Sequence, residues 1–421
     1  DVTDRVVHQV IHEDSSDASP KRAEATTPRS RGESQSKNTY DLHCLQATVS
    51  RWPRIYSGML NLLSVVGTRP NFIKVGPVHW AAAKLPTKVS HQILHTGQHY
   101  SPEMSDIFFR QLGLPEPDVY MGLGGGSHAE QTAKIMVAFE EHVSANRPDV
   151  LLVYGDVNST MACALVAAKQ HIPLVHVESG LRSGDRTMPE EINRLVTDSI
   201  SDLLLVSEPA GMANLAGLPE ETVVYVGNVM IDSLMRFRAR AEDSNILEEQ
   251  GLQKGNYVLA TLHRPATVDN KAGLSKVLDI LGEVAEKPVL FPIHPRTRKN
   301  LATFGLQARV DALANLRLID PIGYIDFLRL QMDAELVITD SGGIQEETTF
   351  LNVPCLTLRP NTERPVTVSR GTNELLPLDA EIVADRVAKI RAGEWKQGQT
   401  IDGWDGRAGD RVISAVLERF G

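Results

Sequence analysis

The chain has 421 residues and a formal net charge of -10, with 42% hydrophobic and 23% charged residues. That is length for two domains with sizeable cores, and the acidic balance argues against a nucleic acid or an anionic membrane surface as the main partner. A small anionic substrate remains open, because a few local cations focus field in a cleft whatever the net charge.

Cys44, Cys163 and Cys355 are odd in number, far apart and without metal-ligand spacing, which points to a reducing compartment with no disulfide framework. No run reaches the roughly 18 apolar residues of a membrane span. A cytoplasmic protein is expected. Residues 1–58 are rich in Ser, Asp, Arg and Thr, lack a sustained period and lack the apolar region of a signal peptide. They read as a disordered extension, with Met59 as the natural start.

From Met59 the pattern alternates between strand and helix. Strands are predicted over 60–66, 89–95, 150–154, 173–177, 203–206 and 222–226, with helices between them, for example over 128–146 and 158–170. A second series of strands is predicted over 257–262, 288–293, 316–319, 336–339 and 355–358. Repeated strand–helix–strand units imply parallel sheets with right-handed crossovers. The fold class is therefore α/β, with two Rossmann-like domains facing across a cleft: 59–228 and 229–404, joined near 227–240. A last helix is predicted over 410–420, and the segment 405–421 is free to pack back on the first domain.

In such sheets ligands bind at the carboxyl ends of strands. The first strand-to-helix turn carries Gly67, Arg69 and Lys74, and taken alone its cations read equally as surface charge. Gly155, Asp156, Val157, Asn158 follow the third strand, where Asp156 is either a helix cap or a catalytic acid. The stretch 173–194 ends a buried strand at Glu178 and opens a helix at Pro189 with Glu190 and Glu191 in its first turn. Those two acids also suit the helix dipole. Convergence favours chemistry: Asp156, Glu178 and Glu190 arise on adjacent loops, and carboxylates crowded in a dry cleft have their pKa values pushed apart.

In the second half, Ser341, Gly342 and Gly343 offer free amides at a helix start, which is an anion site. Glu347 follows within reach of a ribose, and pyrophosphate plus sugar describes a nucleotide. His263 with Arg264, and His294 with Arg296, sit at the same edge and fit a phosphate-facing wall. The loop Gly122 to Ser127 follows no clear strand and lacks Gly-Lys-Ser/Thr, so it reads as a flexible or closing loop.

Linked motifs run through the chain: VVGTRPNFIK, HTGQHYSPEM, GDVNST, HVESGLRSGD, MPEEINR, VGNVMID, TLHRPATVDN, DSGGIQEE and NTERPVTVSRGTN. From Met59 to Gly421 the sequence resembles the non-hydrolysing UDP-N-acetylglucosamine 2-epimerases, which have the GT-B fold. After TLHR it carries PATVDN where many members have a shorter run with a glutamate. The resemblance implies reversible inversion of C2 of UDP-N-acetylglucosamine to give UDP-N-acetylmannosamine, supplying N-acetylmannosamine units for surface polysaccharide. UDP is eliminated to leave 2-acetamidoglucal and is then added back, with no cofactor and no metal. It implies Asp156, Glu178, Glu190 and His263 as catalytic residues. It implies Arg69, Lys74, Arg264, His294, Ser341, Gly342, Gly343 and Glu347 as substrate-binding. Gln98 and His99 match a region that in some members binds a second, activating UDP-N-acetylglucosamine, and a homodimer is implied by analogy. A hydrolysing epimerase, an epimerase of a related UDP-sugar, a GT-B glycosyltransferase and a nucleotide-sugar sensor are the alternatives at this stage.

Overall fold

The computed structural model describes residues 58–98 and 113–421. The first sheet is built from β1 (Leu60–Val66), β2 (Val89–His95), β3 (Val119–Tyr120), β4 (Val150–Tyr154), β5 (Leu174–Ser179), β6 (Leu203–Val206) and β7 (Val223–Tyr225). Every pairing in it is parallel, in the order β3-β2-β1-β4-β5-β6-β7. The second sheet contains β8 (Val258–Thr261), β9 (Val289–Pro292), β10 (Leu316–Ile319), β11 (Leu336–Thr339), β12 (Cys355–Thr357) and β13 (Asn373–Leu375). It too is parallel throughout, in the order β10-β9-β8-β11-β12-β13. The expected α/β architecture is present twice.

The central strands are short apolar runs because helices cover both faces of each sheet; all five residues of β4 are buried. Chain order reverses between β1 and β4 in the first sheet and between β8 and β11 in the second. Those switch points open crevices at the carboxyl ends of the strands. Two strands escaped the sequence reading. β3 has two residues and β13 three, too few to set a period of two. The glycine-rich loop therefore does follow a strand, and it is docked rather than loose at its start: the Leu123 amide donates to the Thr96 carbonyl at 2.8 Å. Its far end is a capping box, in which Ser127 Oγ accepts from the Glu130 amide and Glu130 Oε2 from the Ser127 amide.

The helix Val229–Glu242 runs between the sheets and is buried on more than one side. Phe237 meets Trp80 edge-on at 5.7 Å and Tyr324 at 6.2 Å, so one apolar cluster contains residues of both halves. The last helix, Ala408–Phe420, lies against Arg69–Ala83. The Gly409 amide donates to Asp232 Oδ2 at 2.8 Å, and Trp404 Nε1 donates to the Ser207 carbonyl at 3.2 Å. Val412, Ile413, Val416 and Phe420 are all at most 2% exposed. Among the described residues, no helix is long and apolar enough to cross a membrane.

Phe420 closes this cluster one residue from the chain end, so Phe420→Ala is expected to cost about 3–5 kcal/mol. Urea denaturation measures it. The exposed Val137→Ala should stay within about 0.5 kcal/mol on the same assay.

Candidate functional site

The sequence-predicted residues gather at the two switch points. Arg69 and Lys74 lie on the first helix after β1. Asp156 follows β4, and Glu178 is in β5. His263 and Arg264 follow β8, and Ser341, Gly342 and Gly343 follow β11.

Glu178 is the most constrained of them. The β5–β6 register pairs Val177 with Leu205 and Ser179 with Val206, so Glu178 is the extra residue of a bulge. Its φ is +68°, a left-handed conformation that costs a non-glycine residue roughly 1–2 kcal/mol. The bulge turns its side chain out of the strand alternation and into the crevice. There Lys74 Nζ lies 2.5 Å from Glu178 Oε2, and Arg364 Nη2 donates to Glu178 Oε1 at 2.8 Å. Lys74, Glu178 and Arg364 are each at most 6% exposed. Arg364 belongs to the second half of the chain, so this pair ties the two sheets together through a buried charge.

Arg364 continues the network. Its Nε is 2.8 Å from Glu346 Oε2, off the hydrogen-bond direction, while Glu346 Oε1 accepts from Asn228 Nδ2 at 2.8 Å. Glu363 accepts both arms of Arg359, at 3.0 and 2.7 Å. Its carboxyl is held far below the usual range: burial pulls it up, but the Arg359 hydrogen bonds and the charges of Arg364 and Arg194 outweigh it. Arg194 Nη1 donates to Glu191 Oε2 at 2.9 Å, and its Nη2 pairs with Asp156. Cations therefore alternate with carboxylates across the site.

At Asp156 that alternation, not repulsion from other carboxylates, sets the charge balance. Burial raises Asp156, yet Arg194, Lys74 and Arg364 outweigh it and hold its carboxyl below the ordinary value. Asp156 does not cap its helix either, since the N-cap is Val157. Glu191 is buried and clamps its own loop, accepting from the Ser183 amide at 2.8 Å and the Gly184 amide at 3.2 Å. Glu190, next to it, is only half-buried, and its charge reaches Arg264 of the other half.

Two glycines leave room for the cations. Gly155 has φ +61°, and a Cβ there would lie 2.8 Å from Lys74 Nζ. A Cβ on Gly342 would lie 2.6 Å from Arg364 Nη1, so the guanidinium sits directly on the turn that starts the helix Gly342–Leu351. The Ser341 amide, expected to be free, instead donates to Thr339 Oγ1 at 3.0 Å, because a nearby hydroxyl competes for the backbone. The helix-start amides left for an anion are those of Gly342 and Gly343.

Asp340 organises the opposite wall. It is fully buried and accepts from the His263 amide at 3.0 Å and the Arg264 amide at 2.8 Å, with His263 Nδ1 3.2 Å from Oδ1. Burial raises its carboxyl, but His263 and the two amides outweigh that and keep it below the ordinary value. The His263 side chain is 44% exposed, so its ring presents Nε2 outward. Arg264 Nε donates to the Asp340 carbonyl at 3.0 Å. Arg69 is half-buried at the first position of its helix, and burial lowers its pKa.

Three expectations change. Glu347 is 3% exposed, and its oxygens accept from Tyr324 Oη and Gln331 Nε2, each at 2.9 Å. It faces the neighbouring helix Tyr324–Asp333 rather than the crevice. Burial, opposed by the Tyr324 hydrogen bond, pushes it up to about 7. His294 is exposed and caps the helix Pro295–Thr303, its ring centroid 6.3 Å from that of His263. Arg296 is paired with Asp269 instead of completing a phosphate wall. Gln98 Oε1 accepts from the Ser159 amide at 2.9 Å and Oγ at 2.7 Å, which engages it in the fold; His99 lies outside the described residues. Sequence reasoning missed Arg194, Arg359, Glu363 and Arg364. Three of these lie in or beside the NTERP run, whose alternating charges were the available signal.

Arg364 neutralises buried carboxylates from both halves, and removing it strands them. Arg364→Met is expected to lower stability by about 3–5 kcal/mol, with Glu178→Gln/Arg364→Met losing less than the sum of the two single variants. Thermal and urea unfolding of the double-mutant cycle measure the coupling.

The sequence profile of the UDP-N-acetylglucosamine 2-epimerase family matches residues 82–417. A UDP-N-acetylglucosamine 2-epimerase of Methanocaldococcus jannaschii is 40% identical over 364 residues, covering 84% of this chain and 98% of the relative. A UDP-2,3-diacetamido-2,3-dideoxy-D-glucuronate 2-epimerase of Pseudomonas aeruginosa is 38% identical over 367 residues, covering 85% and 100%. Among solved structures, the Methanocaldococcus jannaschii UDP-GlcNAc 2-epimerase in complex with UDP-GlcNAc and UDP aligns with a TM-score of 0.79 at 39% identity, over 85% of this chain and 100% of that one. The Neisseria meningitidis UDP-GlcNAc 2-epimerase bound to UDP-GlcNAc aligns with a TM-score of 0.77 at 27% identity, over 85% and 100%.

Proposed function

The chain belongs to the non-hydrolysing UDP-N-acetylglucosamine 2-epimerase family, and from that premise we propose that it interconverts UDP-N-acetylglucosamine and UDP-N-acetylmannosamine. The observation that carries this reading is the strained Glu178 carboxylate, held between Lys74 and an Arg364 that also rests on the Gly342 turn.

The C2 hydrogen of the sugar is not beside a carbonyl and is not acidic, so direct deprotonation is closed. Elimination solves this. A carboxylate removes the C2 proton as the C1–O bond to UDP breaks, leaving 2-acetamidoglucal. UDP then adds back at C1 while a proton is delivered to the opposite face of C2. Asp156, Glu178 and Glu190 are the acid and base groups in this reading. The diphosphate gains negative charge as it leaves, and it would be held by the amides of Gly342 and Gly343, by Arg264 and by Arg364, with Arg69 and Lys74 on the other wall. His263, oriented by Asp340, would present its Nε2 to the leaving group. Glu347 would act through the fold rather than on the ribose. The surrounding halves would keep the glycal from water and UDP from escaping.

A second reading changes only the sugar. The Pseudomonas aeruginosa relative acts on a diacetamido uronic acid at nearly the same identity as the UDP-N-acetylglucosamine enzymes, so both UDP-sugars belong in the assay.

Proton NMR in deuterated water tests the reaction. Deuterium entering C2 of both epimers of one UDP-sugar at a steady ratio is the expected result. Accumulating free N-acetylmannosamine and UDP would establish hydrolysis instead. Glu178→Gln is expected to reduce turnover at least about 100-fold, with UDP affinity by titration calorimetry nearly intact. Near wild-type turnover would remove Glu178 from the chemistry.

A further inference from the structure

Glu208 is a buried carboxyl beside this network that the chemistry above does not use. It follows β6 by two residues, at the N-cap of the short helix Pro209–Asn214, where its side chain makes no cap hydrogen bond. It is 1% exposed, and neither of its carboxyl oxygens has a hydrogen-bond partner among the described residues. The charged groups whose fields reach it are Glu346 on the helix Gly342–Leu351, Arg364, and Glu178 on the adjacent strand β5; the Tyr225 hydroxyl of β7 feels its charge. The β5–β6 register places Val206 opposite Ser179, so Glu178 and Glu208, two residues beyond Val206, leave the same edge of the sheet on neighbouring strands.

An ionised carboxylate that is buried, without hydrogen bonds and faced by two other carboxylates is in the least favourable of its states. Arg364 is the nearby cation, and it is already ion-paired: its Nη2 donates to Glu178, its Nε lies 2.8 Å from Glu346 Oε2 and its Nη1 3.5 Å from Glu363 Oε2. We propose that Glu208 is a positioning residue of the site, held as the neutral acid so that Arg364 stays on Glu178 and Glu346. This deepens the epimerase reading and rests on it. Burial first, then Glu346 and Glu178, push the Glu208 carboxyl up to about 8, with Arg364 pulling the other way. Below that pH Glu208 carries its proton and does not compete. Above it, the carboxylate draws Arg364 from Glu178, and the alignment of base and leaving-group cation is lost. Activity therefore falls on the alkaline side.

The test compares kcat/KM for UDP-N-acetylglucosamine in the full chain and in Glu208→Gln, which copies the shape of the neutral acid at every pH. The ratio of variant to wild type is expected to rise about tenfold between about pH 7 and about pH 9, the wild type losing roughly one decade for one unit above the midpoint. Profiles that superimpose overturn the proposal, as does a variant inactive throughout, which would make the ionisable acid itself indispensable. A second readout needs no turnover. A carboxyl whose pKa is raised on folding costs stability as pH rises from its unfolded to its folded value, so the melting-temperature gap between Glu208→Gln and wild type should widen between about pH 5 and about pH 8. A constant gap would mean that Glu208 is not held neutral. If wild type fails to turn over the substrate yet the gap widens, the epimerase reading fails, and with it the positioning role. Glu208→Met, of similar volume, takes the same melting test if the glutamine variant does not fold.

Discussion

The buried pair between Glu178 and Arg364 is the constraint on which the site depends. One partner comes from the fifth strand of the first sheet and the other from a loop after the fifth strand of the second, and both are almost without solvent. Charges taken out of water are tolerable only when each is met by an opposite charge and by hydrogen bonds. The molecule meets that condition by extending the pair into an alternating series: Lys74, Glu178, Arg364, Glu346 on one branch, and Arg359, Glu363, Arg194, Asp156 on the other. Neutralising each charge locally lets several carboxylates occupy one small volume near neutral pH.

Such a network links binding to chemistry. A cation shared between a carboxylate base and an anion-binding turn responds to charge at either place. Arg364 is placed for that sharing because Gly342 has no Cβ to exclude it. The backbone strain at Glu178 is consistent with the same view: a non-glycine residue stays in the left-handed region only where its surroundings over-determine it, here through two cations and the pairing of Ser179 with β6.

The scaffold explains why these groups meet. In a doubly wound sheet the crevice opens where chain order reverses, so loops distant in sequence, after β1, β4 and β5, share one edge. Both sheets of this chain contribute such an edge. The helix Val229–Glu242 and the returning C-terminal helix join their supporting cores through Trp80, Phe237 and Tyr324. Packing of this kind makes the opposing walls of the site a property of one continuous apolar cluster.

The sequence alone determined what depends on local pattern: the apolar runs of the central strands, the helix starts at Pro189 and Gly342, the strand that ends at Glu178, and the loops that carry Asp156, His263 and Ser341. These follow from periodicity and turn chemistry, which act over a few residues. Two elements too short to show a period, β3 and β13, were not legible. Tertiary structure alone decided which charges meet. Nothing in the run around Glu363 and Arg364 says that one of its arginines reaches Glu178, 186 positions earlier. Nor does the pair Glu346 and Glu347 say that the first faces the crevice while the second is enclosed by Tyr324 and Gln331. Ion pairing and burial are set by distances through space, and neighbours along the chain share composition without sharing surroundings. The same reason hid Glu208, whose residue type is ordinary and whose meaning lies in having no hydrogen-bond partner among the described residues while charged groups surround it in space.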